Sequence, residues 1–338
     1  MTRLPVLLLT LLALVACKPP DRTTAGIAPP MDMKLLDQDI GYIAKKARPA
    51  AFDVAVLNID GGESWSLMGD RTFPMQSVFK APLAAAVLAA VDRRELSLDE
   101  PITIADKDLS PPYSPIAAAW PAIRTYTVRD LLVQAVEVSD NTAADVLMRR
   151  IGGPGMVQAW LDEHGIKDMR IDRYEREIQV ECWGMPTFRP EWRTDAAFNA
   201  AKFAVPPAGR HAALVNYLTD QRDTSTTTAA LDFLRKLENG ELLSPASTQL
   251  LLRLMTETKT GETRIKAGLP PDATFAHKTG TGGTDQGVNA ATNDIGVITL
   301  KNGHRYAVAV FLAGSTLPGQ DRDALFAAVG RAVTRAVK

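Results

Sequence analysis

Apolar and polar residues follow different spacings in different parts of the chain, and these spacings predict strands near both ends with helices between them. Helical spacing covers residues 31–47, and two short apolar segments, 51–58 and 64–68, lie on either side of Gly61-Gly62. Apolar segments separated by a glycine turn are typical of a β-hairpin. Helical spacing then dominates residues 77–258.

The last quarter of the chain returns to strand spacing and closes with a helix. We therefore expect an α+β fold of the α/β sandwich type. One antiparallel sheet of about five strands, flanked by the N- and C-terminal helices, is joined to an all-helical lobe, with an active-site cleft between them. The late strands are predicted at residues 275–281, 294–300 and 306–313, and the closing helix at 321–337.

Charge and composition narrow the possible partners. The chain has 38 Lys and Arg residues against 39 Asp and Glu residues, for a net charge of −1, so we expect no nucleic-acid partner. Its four histidines show no metal-ligand spacing, and we expect neither a metal nor another cofactor. A site for a small molecule remains the main hypothesis.

The first candidate for chemistry is Ser77-Val78-Phe79-Lys80, which is placed near the N-terminus of a predicted helix. A serine hydroxyl needs a neighbouring base to become a nucleophile, and Lys80 lies one turn after Ser77 on the same helix face. Ser77 is therefore the candidate nucleophile and Lys80 its base or the residue that positions the base. The alternative is a capping serine followed by a solvated lysine.

The second cluster is Ser139-Asp140-Asn141, between two predicted helices. Ser139 can pass a proton toward a leaving nitrogen, and the amide of Asn141 can hold a substrate carbonyl. Asp140 is expected to brace the turn. Alternatively, Ser139 and Asn141 only cap the second helix.

The third cluster, Lys278-Thr279-Gly280-Thr281, lies in an extended segment that ends in glycines. Lys278 can pair with a substrate carboxylate and Thr279 can donate a hydrogen bond to it. Gly280 lets a ligand approach the backbone, and the N–H of Thr281 can join that of Ser77 in an oxyanion hole. The alternative is an exposed edge strand whose lysine deters aggregation.

The ordered trio S-x-x-K, S-D-N and K-T-G is the signature of class A β-lactamases and penicillin-binding proteins. The chain resembles class A serine β-lactamases from about residue 35 to 337, and segments 73–76 and 290–297 are similar to their extended-spectrum branch. The resemblance implies that Tyr113 forms one wall of the cleft and that Glu175 is the deacylating glutamate. It also implies that Asp223 pairs with Arg173.

The chain departs from the family pattern in the loop that carries Glu175. Arg176 stands where many members have a proline after a cis peptide, and Gln179 stands where an asparagine closes the motif. Gln179 keeps the amide that helps to position the hydrolytic water, one methylene further out. An insert at residues 180–222 is either a lid over the cleft or, in the preferred interpretation, a surface excursion.

The resemblance implies hydrolysis of the cyclic amide of penicillins and cephalosporins. Ser77 would form an acyl-enzyme, Ser139 with Lys80 would shuttle a proton, and a water activated by Glu175 would release the product. Either Lys80 or Glu175 serves as the base for acylation. The alternatives are a D,D-peptidase or transpeptidase of peptidoglycan, and a membrane-tethered β-lactam sensor that stays acylated.

The first residues predict a lipoprotein leader. Residues 1–16 contain a leucine-rich segment too short to span a bilayer, and it stops at Leu14-Val15-Ala16-Cys17, which resembles a bacterial lipobox. Lipidated Cys17 would begin a tether at residues 17–30 and place the protein at the periplasmic face of the outer membrane of a Gram-negative bacterium. The enzyme domain, expected to be a monomer, then covers residues 31–338, with an α/β lobe (31–70 and 260–338) and a helical lobe (71–259).

Overall fold

The computed structural model describes residues 28–337, so the predicted leader, Cys17 and most of the tether lie outside the described residues. The helices are α1 Met33–Ala47, α2 Lys80–Asp92, α3 Pro115–Ala119, α4 Val128–Val133, α5 Asn141–Arg150, α6 Pro154–Glu163, α7 Glu175–Glu181, α8 Asp195–Ala204, α9 Pro207–Thr219, α10 Thr227–Glu238, α11 Pro245–Thr256 and α12 Gly319–Ala336. The strands are β1 Ala51–Asn58, β2 Ser64–Ser66, β3 Phe73–Pro74, β4 Pro101–Thr103, β5 Thr125–Thr127, β6 Thr224–Ser225, β7 Thr274–Thr281, β8 Thr284–Asp285, β9 Val288–Thr299 and β10 Arg305–Ser315.

The main sheet has the order β2-β1-β10-β9-β7, and β8 pairs with one end of β9. All of these pairs are antiparallel. The first two strands of the chain therefore lie in one sheet with its last four, and the helical segment between them is excluded from the sheet. The predicted α+β fold, with one antiparallel sheet and a helical lobe, is confirmed.

Alternate residues of β10 supply two separate apolar cores, as expected for a strand buried on both faces. One core packs against α1 and α12, and the other packs against α10 and the helical lobe. The first set is Tyr306, Val308, Val310 and Leu312, and the second is Ala307, Ala309, Phe311 and Ala313.

Helix α2 is the central element of the helical lobe. Its residues from Lys80 to Ala90 are all buried, and α5, α6 and α11 pack around it. A helix that is apolar on every side is stable only in such a core. Among residues 28–337, no helix is both long and apolar enough to cross a membrane.

The insert forms the later part of α7 together with α8 and α9. Helix α9 lies against β3 and β9, beside the residues that precede Ser77. Residues 211–218, whose apolar spacing predicts a helix, lie within α9, which begins earlier, at Pro207. The strand predicted at 294–300 likewise begins earlier, at Val288, because its polar residues are buried and hydrogen-bonded inside the protein.

Candidate active site

A cleft of about 350 Å³ separates the sheet from the helical lobe. Eight of the residues singled out from the sequence line it: Ser77, Tyr113, Ser139, Asn141, Glu175, Gln179, Thr279 and Thr281. Lys80, Lys278 and Gly280 lie behind this surface and are buried. The fold thus brings the three sequence clusters and the Glu175 loop to one place.

Ser77 lies in a 3-10 turn, Gln76–Phe79, immediately before α2. Its side chain is partly exposed to the cleft. Among the described residues, the Ser77 hydroxyl makes no hydrogen bond and caps no helix. The capping interpretation of this serine therefore does not hold, and its hydroxyl is available for attack.

Lys80 is the first residue of α2 and is fully buried, which excludes the solvated lysine considered above. Its Nζ donates to Asn141 Oδ1 at 2.6 Å, to the Ser139 carbonyl at 2.8 Å and to Ser139 Oγ at 3.4 Å. Burial lowers the pKa of Lys80, while the nearby carboxylate of Glu175 opposes this shift. The lysine therefore loses its proton more easily than a lysine in water.

Ser139 has a left-handed backbone, with φ of 65°, and follows a π-helical turn at Gln134–Val138. Both features are uncommon and often occur at functional sites. The N-cap of α5 is Asp140, which accepts from Ala143 N and Ile116 N, each at 2.8 Å. Asp140 thus braces the turn as predicted, while Ser139 and Asn141 are left for other contacts.

Lys278 is fully buried within β7, so this segment is not an exposed edge that repels other strands. Its Nζ donates to Ser139 Oγ at 3.0 Å and to the carbonyl of Thr279 at 3.1 Å. Burial and the charge of Lys80 hold the pKa of Lys278 well below its usual value. The hydroxyl of Ser139 thus has a lysine on either side.

The rim of the cleft beside β7 carries hydroxyls and a guanidinium. Thr279 Oγ1 lies 2.6 Å from Thr260 Oγ1, and Arg264 Nη2 donates to Thr281 Oγ1 at 2.7 Å. Arg264 also forms an ion pair with Asp323 at 3.1 Å. This rim is suited to bind a carboxylate, because both hydroxyl groups and a charged guanidinium can donate hydrogen bonds to it.

Packing against protein atoms explains the glycines of this segment. A side chain at Gly280 would collide with the carbonyl oxygen of Met75, and one at Gly283 would collide with the ring of Trp183. The absence of a side chain at Gly280 therefore lets β7 lie directly against the residues that precede Ser77. Approach of a ligand is not needed to account for it.

Glu175 is the first residue of α7 and is 1% exposed. Its Oε1 accepts from Gln179 Nε2 at 2.9 Å, one helical turn later. Because α7 is helical here, the extra methylene of Gln179 does not carry its amide out of reach. Within the described chain, Glu175 Oε2 is buried and accepts no hydrogen bond, so it remains free to take a proton.

The carboxylate of Asp145 holds the start of α7 through hydrogen bonds. Its carboxylate accepts from Glu175 N at 2.7 Å, Arg176 N at 3.0 Å and Ser110 Oγ at 2.6 Å. Burial raises the pKa of Asp145 to about 6, and the hydrogen bond from Ser110 opposes that shift. The position of Glu175 therefore depends on an acidic residue of α5.

The other glutamate of this loop, Glu177, is exposed and lies outside the cleft lining. Its Oε2 accepts from Tyr174 N at 2.8 Å, which stabilises the start of α7. The ion pair between Arg173 and Asp223 is present, with 2.6 Å between Nε and Oδ2. It closes the base of the loop and its insert.

Four residues of the site were not predicted from the sequence: Asp145, Thr260, Arg264 and Asn293. They form no motif, and each acts through contacts with distant segments. One signal was available, since Asp145 follows Asn141 by four residues and so shares its face of α5.

No group of three or more His, Cys, Asp or Glu side chains within residues 28–337 is arranged to hold a metal ion. His277, beside the third cluster, is fully buried, stacks on Phe275 and lies 2.8 Å from Asp294 through Nδ1. It packs inside the sheet.

Comparison with known proteins places this architecture in a well-populated group. A family model described as the beta-lactamase enzyme family matches residues 35–337. The chain is 35% identical to β-lactamase VEB-1 of Pseudomonas aeruginosa over 80% of both chains. It is 32% identical to the extended-spectrum β-lactamase PER-1 of the same organism, over 84% of this chain and 82% of that protein.

Solved structures give the same result. A β-lactamase from Chitinophaga pinensis superposes with a TM-score of 0.74 at 33% identity, covering 89% of this chain and 98% of that one. The class A β-lactamase of the last common ancestor of Gram-negative bacteria superposes with a TM-score of 0.73 at 35% identity, covering 90% and 99%.

Proposed function

The chain belongs to the class A β-lactamase enzyme family and is a hydrolase of β-lactams, and we propose that it acts through an acyl-enzyme on Ser77. The observation that carries this proposal is the single cleft that holds the Ser77 hydroxyl, the Ser139 hydroxyl and the buried carboxylate of Glu175. These are the groups needed for attack, for proton transfer to the leaving nitrogen and for release.

In the first step, Ser77 Oγ attacks the lactam carbonyl carbon while its proton passes to the neutral amine of Lys80. The N–H groups of Ser77 and Thr281 stabilise the oxyanion. The carbon–nitrogen bond then breaks, and the proton travels from Lys80 through Ser139 Oγ to the ring nitrogen. The contacts of Lys80 and Lys278 with Ser139 Oγ support this route.

The rim of the cleft holds the substrate. We assign the substrate carboxylate to Thr279, Thr281 and Arg264, with Lys278 acting behind them through Ser139. Asn141 would bind the carbonyl of the substrate side chain, and Tyr113, which is 60% exposed, would cover one wall. Similarity to the extended-spectrum β-lactamase PER-1 supports an extended spectrum of β-lactam substrates.

In the second step, Glu175 takes a proton from water, and the resulting nucleophile attacks the ester carbonyl. The bond between that carbon and Ser77 Oγ breaks, the proton held by Glu175 returns to Ser77 Oγ, and the ring-opened acid leaves. Support comes from the buried oxygen Oε2 of Glu175 and from the bond that fixes Oε1. A carboxylate placed in this way is the feature that separates a hydrolase from a protein that stays acylated.

The test is a time course of purified protein with a chromogenic cephalosporin. We expect many turnovers per enzyme molecule, unchanged by EDTA. A single burst would favour a sensor, and cleavage of a peptide ending in D-Ala-D-Ala without cephalosporin turnover would favour a D,D-peptidase. Loss of the rate with EDTA and its recovery with zinc would contradict the metal-free mechanism.

We also propose that lipidated Cys17 holds the enzyme at the periplasmic face of the outer membrane. The lipobox-like Leu14-Val15-Ala16-Cys17 and the polar, proline-containing segment that follows support this proposal. In cell fractionation, the parent protein should sediment with outer membranes, and Cys17→Ser should be soluble or unprocessed. A parent protein found entirely in the soluble fraction would overturn it.

A further inference from the structure

Gln76, the residue before the nucleophile, has an unusual backbone. Its φ is 49°, in the left-handed region that residues other than glycine seldom adopt. Such a conformation persists only where the surroundings hold it. Since Gln76 and Ser77 share a peptide unit, whatever holds Gln76 also orients the N–H of Ser77.

The backbone ahead of Ser77 is held from several sides. Asn293 Nδ2 donates to the carbonyls of Pro74 and Met75 at 2.8 and 2.9 Å, and Met75 N donates to the Asp223 carbonyl at 3.0 Å. The side chain of Gln76 is 3% exposed and donates through Nε2 to the hydroxyl of Tyr217. Among residues 28–337, this is the one side-chain hydrogen bond that Gln76 makes.

Tyr217 belongs to α9 of the insert and is 5% exposed. Burial raises its pKa well above the usual value, so it remains a neutral phenol that accepts the bond from Gln76. Helix α9 is fixed to β8 by a buried ion pair between Arg210 and Asp285, with Nε and Oδ1 3.0 Å apart. A second contact comes from Trp183, also in the insert, whose ring covers Gly283.

The insert therefore contacts two short segments, one just before Ser77 and one just after Thr281. These are the two residues whose N–H groups form the proposed oxyanion hole. None of the residues that line the cleft comes from 180–222, so the insert lies behind the hole and does not cover the substrate.

We propose that Tyr217 is a positioning residue for acyl transfer: its bond to Gln76 holds the N–H of Ser77 in line with that of Thr281. The inference rests on the proposed function, because it requires Ser77 to be the nucleophile. It gives the insert a role that neither a lid nor a surface excursion describes.

The experiment uses Tyr217→Phe in the full-length protein, which removes the hydroxyl and leaves the ring packed. Losing an oxyanion donor outright typically slows the reaction by about 10² to 10³, and loosening one should cost about tenfold. We therefore expect single-turnover acylation to slow by about tenfold while the substrate dissociation constant stays within about twofold. Binding of a boronic acid, whose serine adduct places an oxygen in the hole, should weaken by the same factor.

Leu214→Ala is the matched control, because Leu214 is a buried apolar residue of the same helix. It should lower the melting temperature but leave acylation unchanged at temperatures where the protein is folded. Equal slowing in Leu214→Ala and Tyr217→Phe would overturn the proposal, since packing alone would then account for both.

A double-mutant cycle with Gln76→Met adds a second readout. If the bond between Gln76 and Tyr217 is responsible, the double variant should acylate no more slowly than either single one. Independent, multiplying losses would contradict the proposal. A parent protein that is never acylated would instead refute the proposed function, whereas normal acylation of Tyr217→Phe beside an active parent would refute this inference alone.

Discussion

The hydroxyl of Ser139 lies between two buried lysines, 3.0 Å from Lys278 Nζ and 3.4 Å from Lys80 Nζ. Burial lowers the pKa of both amines, and the charge of Lys80 lowers that of Lys278 further. Because burial lowers the pKa of Lys80, we infer that its amine can be neutral and can serve as the base for acylation.

The pH dependence of acylation tests that assignment through Glu175→Gln. Because the Glu175 carboxylate raises the pKa of Lys80, removing its charge should lower that pKa further. Stopped-flow acylation rates, which should rise with pH as Lys80 loses its proton, should then rise at a lower pH in the variant than in the parent. If Glu175 were the acylation base, the rate would instead fall by about 10² to 10⁴ at every pH.

The nucleophile assignment predicts that Ser77→Ala abolishes turnover and leaves stability almost unchanged. The hydroxyl makes no hydrogen bond within the described chain and caps no helix, so a change within about 0.5 kcal/mol in the free energy of unfolding is expected. Activity assays and urea denaturation measure the two effects. Turnover at the parental rate would show that another residue is the nucleophile.

Residues with restricted chemistry were predictable as a set and not singly. Ser77, Lys80 and Lys278 were singled out because an acyl-transfer site requires their side-chain types in a fixed order, and the structure brings them to one cleft. Asp145 and Asn293 were not, because their importance depends on which backbone groups the fold brings within reach: Glu175 N at 2.7 Å and the Pro74 carbonyl at 2.8 Å. A local sequence pattern does not show which distant backbone groups a side chain will contact.

Among the secondary-structure elements, α7 differs from what the resemblance implied. Residues 172–179 were treated as a loop by resemblance, yet Glu175–Glu181 forms a helix. The N–H groups at its start donate hydrogen bonds to the carboxylates of Asp145 and Glu177. Helix ends need such acceptors, and here one of them comes from another helix. The substitutions Arg176 and Gln179 are compatible with this helix because neither interrupts its hydrogen bonds.

The base of α7 supplies a prediction about stability. Arg173 and Asp223 are both nearly buried and 2.6 Å apart, so Arg173→Met would leave a buried carboxylate without its partner. Removing one member of a buried pair costs about 3 to 5 kcal/mol, which urea denaturation should detect. Arg129→Ala, which breaks an exposed 3.8 Å contact with Asp99, is the control and should leave the urea midpoint nearly unchanged. Equal midpoints for the two variants would contradict the role assigned to Arg173.

At the scale of the molecule, the cleft is assembled from segments more than 200 residues apart in the sequence, Ser77 and Thr281 among them. The two-lobe fold was predictable because strand spacing at both ends and helical spacing between them leave few ways to close a sheet. The position of the insert on the rest of the protein was not predictable from the sequence, because it depends on single buried contacts such as that of Tyr217 with Gln76.

The position of the insert predicts how its removal affects different substrates. Replacing residues 185–219 with a short flexible linker should slow the acylation of a small penicillin and of a bulky cephalosporin by similar factors. The lost contacts lie behind the nucleophile and not at the mouth of the cleft. The ratio of the two kcat/KM values measures this, and a loss confined to bulky cephalosporins would show that the insert contacts the substrate.

The most direct test of the two-step mechanism is intact-protein mass spectrometry of Glu175→Gln minutes after mixing with a β-lactam. Release should slow by about 10² to 10⁴, because the general base for water is gone while acylation through Lys80 continues. We expect a stable adduct on Ser77 with the mass of the intact β-lactam, and normal turnover by Glu177→Gln, whose carboxylate is exposed and outside the cleft. An adduct that accumulates in the Glu177 variant instead, or that already persists in the parent protein, would contradict the two-step mechanism.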